Sequence, residues 1–263
     1  MEELLVYNQK FKRLFEMFDI KQGISIIAGP CAIENYEQME IIAQTLVNNN
    51  VRFIRGGAFK PRTSPYDFQG IGLDGLKIMR DISNRYNLLS VSEIMDPRDV
   101  EHGMQYLDVI QIGSRNMQNY SLLKEVGRTN HPILLKRGMM STISEFLLAA
   151  EYIAAEGNTN IIMCERGIRT FETYVRNTLD ISCIALIKQK TSLPVIVDVS
   201  HSLGRVDLIE SIVRYLLKIN IDGIMVEIHP TPNRAVCDRE QAMSCVDFSE
   251  MIKNFREENI WAY

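Results

Sequence analysis

Short apolar runs and amphipathic stretches alternate along almost the whole chain. The runs Ile24–Ala28, Val51–Arg55, Leu88–Ser92, Val109–Ile112, Ile133–Lys136, Asn160–Cys164, Val195–Val199 and Ile224–Ile228 are rich in Ile, Val and Leu and too short for buried helices. They predict strands. Between them, apolar residues return every three or four positions. That predicts helices near Glu37–Asn48, Asp74–Tyr86, Pro97–Tyr106, Tyr120–Val126, Ile143–Glu156, Leu179–Lys190 and Val206–Ile219, with a last one from Phe248 onward. Strands that are apolar on both faces and alternate with helices imply a parallel sheet covered by helices. Eight such pairs favour a closed (β/α)8 TIM barrel of the α/β class over an open doubly wound sheet. No GxGxxG follows the first strand, which speaks against a dinucleotide fold. In the lead-in, Phe11, Leu14, Phe15 and Phe18 fall at helical spacing, predicting one amphipathic helix that closes the barrel floor or a subunit contact. The expected division is an extension over 1–23 and a catalytic barrel over 24–263, with no linker or repeat between.

Composition narrows the partners. The 263 residues are 46% hydrophobic and 24% charged, enough to bury a full core. A net charge of −4 argues against nucleic acid or an anionic membrane as a global partner. No apolar run approaches the ~18 residues of a membrane span, and the first residues lack the basic and apolar regions of a signal peptide. Five scattered cysteines do not form a disulfide framework, so a reducing cytoplasm is expected.

A barrel of this kind carries its chemistry at the carboxyl ends of its strands. Each predicted strand does end in such groups: Cys31; Arg55 and Lys60; Glu93; Gln111 and Arg115; Lys136 and Arg137; Glu165 and Arg166; Asp198 and His201; Glu227 and His229. Alone, Cys31 reads as a small buried apolar residue and His201 as a packing or capping histidine. With Glu227 and Asp238 on the same rim, they read as ligands of a divalent ion such as manganese, iron, cobalt or zinc. His102 and His131 read as surface residues, and Cys164 and Cys183 as packing cysteines.

Arg55-Gly-Gly-Ala-Phe-Lys-Pro-Arg-Thr-Ser64 would by itself be a solvated basic loop. Arg55, Lys60, Arg62, Arg115, Lys136 and Arg166 converging on one mouth instead call for an anionic ligand bearing phosphate or carboxylate. Glu93 and Asp198 would offset part of that charge or handle protons.

These residues sit in longer motifs: IIAGPC at 26–31, RGGAFKPRTSPYDFQG at 55–70, QIGSRNMQN at 111–119, LLKRGM at 134–139, CERGIRTFE at 164–172, RNTLD at 176–180 and DVSH at 198–201. From about Ile26 to Asp238 the chain resembles the 3-deoxy-D-arabino-heptulosonate 7-phosphate (DAHP) synthases, in the small subgroup related to 3-deoxy-octulosonate 8-phosphate (KDO8P) synthases. The resemblance implies a transferase of the shikimate pathway that condenses phosphoenolpyruvate with erythrose 4-phosphate and needs a divalent metal. It implies metal ligation by Cys31, His201, Glu227 and Asp238, and phosphoenolpyruvate held by Arg55, Lys60, Arg115, Lys136 and Arg166. Arg62, Thr63 and Ser64 would meet the aldose phosphate, with Gln111 and Asp198 also at the substrates. Lys60 would donate a proton to the new alkoxide, and Cys31, His201 and Glu93 would complete the catalytic set. It also implies a homo-oligomer, often a tetramer.

Val199 stands where the family has Pro, Ser114 where it has Ala, and Ser92 where it has Thr. Arg239-Glu240 replaces small residues after Asp238. None of these departures removes a charged group. A KDO8P synthase using arabinose 5-phosphate is the nearest alternative, against which Lys60-Pro-Arg-Thr-Ser64 speaks. A catalytically silent barrel acting as a partner-binding scaffold is an alternative of another class. Because only about 23 residues precede the first strand, with no room for the ~70 or more of a minimal independent core, insensitivity to phenylalanine, tyrosine and tryptophan is expected.

Overall fold

The computed structural model describes residues 3–21 and 23–261, apart from the side chain of Phe15. The packing expected of Phe15 therefore lies outside the described residues. Two short helices, α1 (Leu5–Asn8) and α2 (Leu14–Phe18), precede β1 (Ser25–Gly29). The chain continues through α3 (Tyr36–Asn48), β2 (Phe53–Arg55), α4 (Leu73–Tyr86), β3 (Leu89–Glu93), α5 (Val100–Tyr106) and β4 (Val109–Ile112). Next come α6 (Tyr120–Gly127), β5 (Ile133–Lys136), α7 (Ile143–Ala155), β6 (Ile161–Glu165), α8 (Ile181–Lys190) and β7 (Val195–Asp198). The described chain finishes with α9 (Val199–Leu203), α10 (Ile209–Leu216), β8 (Gly223–His229), β9 (Met243–Ser244) and α11 (Cys245–Glu257).

Strands β1 to β8 pair in sequence order, all in parallel, and β1 also pairs with β8, setting Ile26 against Ile224 and Gly29 against Glu227. The sheet thus closes into a (β/α)8 TIM barrel. Local sequence starts its helices: Asn35, Asn119, Asp180 and Ser244 each accept a hydrogen bond from a first-turn backbone amide. Thr142 and Glu145 form a capping box on α7.

Successive strand residues face opposite sides of the sheet, and here they sort into two apolar sets. Ile26, Ala28, Ile54, Ile110, Ile112, Ile133, Leu135, Val195, Val197 and Val226 pack outward against the helices. Ile27, Phe53, Val91, Val109, Leu134, Ile162, Ile196 and Met225 fill the lumen. Two residues beyond a lumen residue, on the same face, stand Arg55, Glu93, Gln111, Lys136, Asp198 and Glu227. The pleat alone therefore stacks a charged and polar layer on an apolar one.

At the other end, Leu14 joins the lumen cluster, with Met17, Phe18 and Ile20 against it. The Phe18 ring meets Phe53 edge-on at 5.2 Å. So α2 closes the barrel floor, as its spacing suggests. The lead-in nevertheless forms two helices where one is expected. Glu151 of α7 accepts hydrogen bonds from the Leu5 and Val6 amides, and Ser192 accepts one from the Phe11 amide. These tie the first part to the barrel's outer face, and Phe11 packs there.

The expected strand to Val199 stops at Asp198, whose carboxylate caps α9 by accepting from the His201 amide at 3.0 Å. The expected helix Val206–Ile219 is a 3-10 turn over Val206–Leu208 followed by α10. His102 is exposed as expected, whereas His131 is half-buried, its Nε2 without a hydrogen-bond partner. Cys164 and Cys183 are fully buried in packing positions.

Gly29 joins fold and site. Its φ is +152°, and a Cβ there would lie 1.9 Å from the Arg55 carbonyl oxygen. Only glycine lets the end of β1 run this close to β2. Gly29→Ala is expected to destabilise the barrel by about 3 kcal/mol or more, read as a lower urea midpoint at unchanged slope.

Candidate active site and metal centre

At the carboxyl end of the barrel lies a hollow of about 350 Å³. Arg55, Lys60, Arg62, Thr63, Glu93, Gln111, Arg115, Lys136, Arg166, His201 and Asp238 all line it. Asp198, Cys31 and Glu227 lie outside its lining, buried and bonded to residues that do line it. Ser64 does not line it; its hydroxyl accepts from the Tyr66 amide within the loop.

Cys31, His201, Glu227 and Asp238 each offer a donor atom, and these atoms lie within 4.8 Å of one another. One thiol, one imidazole and two carboxylates in a largely buried cluster fit a borderline first-row divalent ion. The His201 Nδ1 lies 2.8 Å from Asp198 Oδ2, while its Nε2 lies 3.5 Å from Glu227 Oε1. With Nδ1–H donating to Asp198, the Nε2 lone pair faces the cluster, as a ligating histidine requires. Burial keeps the His201 pKa below its ordinary value, so the ring stays neutral.

The Cys31 thiol donates to Asp238 at 2.8 Å and accepts from Lys60 Nζ at 2.9 Å. Its hydrogen bond with Cys237, its burial and the Glu227 charge hold its pKa well above the ordinary thiol range. A cation bound there would displace that proton.

The buried charges are matched in pairs. Arg55 donates to Glu227 at 2.5 Å, and Lys136 to Asp198 at 2.5 Å. Burial works against both carboxylates, but neighbouring cations outweigh it. His201, a cation only at the acid pH where these carboxylates would take up protons, and Arg55 bring Glu227 down to about 2, and His201 and Lys136 hold Asp198 well below the carboxylate range. Burial likewise opposes the Lys60 ammonium, yet Cys31 and Glu227 keep its pKa above the lysine range. Glu93 is the exception. Burial raises its pKa despite Lys60 and Lys136, and its Oε1 has no partner. Arg137, beneath the rim, donates to Glu165 at 3.0 Å and Asp180 at 2.8 Å.

The comparisons bear on a site with this geometry. The model of the DAHP synthetase I family matches residues 19–260. The chain belongs to that family. It is 46% identical over 247 residues to the phospho-2-dehydro-3-deoxyheptonate aldolase of Thermotoga maritima, covering 93% of this chain and 73% of the relative. A crystal structure of the Thermotoga maritima DAHP synthase superposes with a TM-score of 0.91 at 44% identity, covering 97% of this chain and 75% of that one. A truncated form of the Thermotoga maritima enzyme gives 0.87 at 42%, with coverages of 97% and 94%. The 2-dehydro-3-deoxyphosphooctonate aldolase of Syntrophotalea carbinolica is more distant, 27% identical over 248 residues and 88% of each chain. No described helix is long and apolar enough to cross a membrane.

Within the DAHP synthetase I match, the site holds residues to which the sequence reading gave no role. Arg169, Arg176 and Asn177 line the hollow, and Gln241 donates to Glu227 Oε2 at 2.6 Å. For the two arginines the signal was the density of arginine between Arg166 and Arg176, visible in the sequence but not tied to a rim position; Gln241 carries no such signal. Cys31→Ser is expected to weaken divalent-ion affinity at least tenfold, because a hydroxyl does not supply a thiolate. Chelator competition on the folded protein measures this, and circular dichroism should show the barrel intact.

Proposed function

We infer that the protein is a 3-deoxy-7-phosphoheptulonate synthase, joining phosphoenolpyruvate to erythrose 4-phosphate and releasing inorganic phosphate. The observation that carries the reading is a cation-lined mouth set directly against a four-donor metal group, in a chain of this family. C3 of phosphoenolpyruvate attacks the aldehyde carbon, water adds at C2, and phosphate leaves with cleavage of its C–O bond. The products are the seven-carbon keto acid phosphate and phosphate.

Two anions must be brought together against their repulsion. Arg55, Lys60, Arg115, Lys136 and Arg166 grip the carboxylate and phosphate of phosphoenolpyruvate. Arg62 and Thr63 meet the aldose phosphate from the hollow, Ser64 steadies their loop by accepting from the Tyr66 amide, and Gln111 helps orient the bound enol. Such fixed cations act in a site of low dielectric, where they are worth more than in water. Cys31, His201, Glu227 and Asp238 would hold manganese, iron, cobalt or zinc. When bound, the ion supplies Lewis acidity that polarises the aldehyde carbonyl.

Lys60, 2.9 Å from the Cys31 sulfur, remains an ammonium and protonates the alkoxide left by C–C bond formation. An alkoxide is the stronger base, its conjugate acid titrating near the ~15.7 of water. Asp198 orients Lys136 and His201 at once. Glu93, with one carboxylate oxygen unpartnered, takes the proton of the attacking water. Its raised pKa suits a general base.

The reading includes a catalytic barrel over 24–263 with 1–23 as an extension, carried by the strand and helix pattern of the sequence, and a homo-oligomer, carried by the resemblance. A reducing cytoplasmic setting is supported by the free cysteines.

Purified protein assayed with phosphoenolpyruvate and either aldose phosphate tests the reading. Phosphate release with erythrose 4-phosphate is expected, silenced by chelator and restored by a divalent transition metal. A clear preference for arabinose 5-phosphate, or full activity in excess chelator, would sink it. Glu93 gives a second test. Its raised pKa means the base is lost by protonation above the ordinary carboxylate range, so kcat should fall on the acid side there. Glu93→Gln should lower kcat by about 10²–10⁴ and abolish that acid limb; a retained limb assigns the base elsewhere.

A further inference from the structure

Beneath the metal ligands lies a second layer that no step above uses. The Gln241 side chain is buried, on the short 3-10 turn Arg239–Gln241 that follows Asp238. Its Nε2 donates to Glu227 Oε2 at 2.6 Å, and its Oε1 accepts from Arg176 Nη1 at 2.5 Å. The same Arg176 nitrogen donates to Asp238 Oδ1 at 3.0 Å. A carboxylate on one side and a guanidinium on the other fix which way the amide points. Flipped, it would set oxygen against oxygen and donor against donor.

Each carboxylate of the cluster thereby has one oxygen tied to this pair and the other turned to the cluster. Glu227 gives Oε2 to Gln241, while its Oε1 accepts from Arg55 at 2.5 Å and lies 3.5 Å from His201 Nε2. Asp238 gives Oδ1 to Arg176, while its Oδ2 meets the Cys31 sulfur. Arg176 is itself anchored. Its amide donates to the Leu203 carbonyl, the Asn177 amide to Ser202, and the Asn177 side chain to the His201 carbonyl, at 2.9, 2.9 and 2.8 Å. A Cβ on Gly204 would lie 2.4 Å from Arg176 Cβ, so that glycine lets the two segments touch. One chain of contacts thus joins the loop after β6, the segment carrying His201 and the loop after β8.

We propose that Gln241 and Arg176 act as one clamp that positions Glu227 and Asp238 for metal binding. Neither touches the reacting atoms; both are positioning residues. The inference rests on the metal reading above. Gln is suited to the post, because its neutral amide can donate to a carboxylate and accept from a guanidinium without adding charge to the cluster.

The test uses metal-stripped full-length protein and cobalt(II) as probe. Affinity is measured by chelator competition, and the ligand field by visible absorption of the cobalt form. Gln241→Met, close in volume, should weaken cobalt binding by about 10–100-fold and shift the cobalt spectrum. Arg176→Met should do likewise. Its side chain is 41% exposed, so this variant carries the test if Gln241→Met fails to fold by circular dichroism. If the two act as a unit, the double variant binds no more weakly than the weaker single one. Unchanged affinity and spectrum in the single variants, or losses that simply add, would overturn the clamp. Wild-type protein that binds no cobalt, or binds it equally after Cys31→Ser, would instead overturn the metal reading beneath it.

Discussion

Charged side chains at the top of an apolar lumen have to answer for each other, and most of this site follows from that constraint. Arg55, Lys136, Asp198 and Glu227 are all nearly or wholly buried, where an unpaired charge costs several kcal/mol. Each has its opposite within hydrogen-bonding distance. The pairing keeps Arg55 and Lys136 charged without bulk water and keeps both carboxylates ionised beside His201. What is left over is informative. Glu93 has no equivalent partner for one oxygen, and burial raises its pKa, which sets it apart from the paired carboxylates.

The barrel and the identity of the rim residues were readable because two periodicities carry them. A repeat of two along each strand places Arg55, Glu93, Gln111, Lys136, Asp198 and Glu227 above the lumen residues two positions earlier. The floor helix was readable from the spacing of Leu14 and Phe18. Other features depend on contacts far apart in sequence. Helix α9 starts at Val199 because Asp198 turns back to cap it, in a run that otherwise reads as strand. Gln241 reaches Glu227 only because Asp238 takes a left-handed turn, φ +52°. Arg176 reaches Asp238 only once the loop after β6 folds over the His201 segment. No local pattern encodes those approaches.

Asp198 shows how economically the rim is built. One carboxylate caps α9, fixes the His201 ring and neutralises Lys136. His201 and Lys136 therefore share one reference point, and a shift of β7 would displace both together.

The mouth also differs in sign from the molecule around it. Arg55, Lys60, Arg62, Arg115, Lys136, Arg166, Arg169 and Arg176 line it against Asp67, Glu93 and Asp238, in a chain of net charge −4. An approaching polyanion meets weak repulsion over most of the surface and attraction over one concave patch, where low-dielectric walls concentrate the field. The protein's outer charge thus serves as a guide rail. That advantage has a reach of about 8 Å at physiological ionic strength, so added salt should erode the rate of capture before it touches the chemistry.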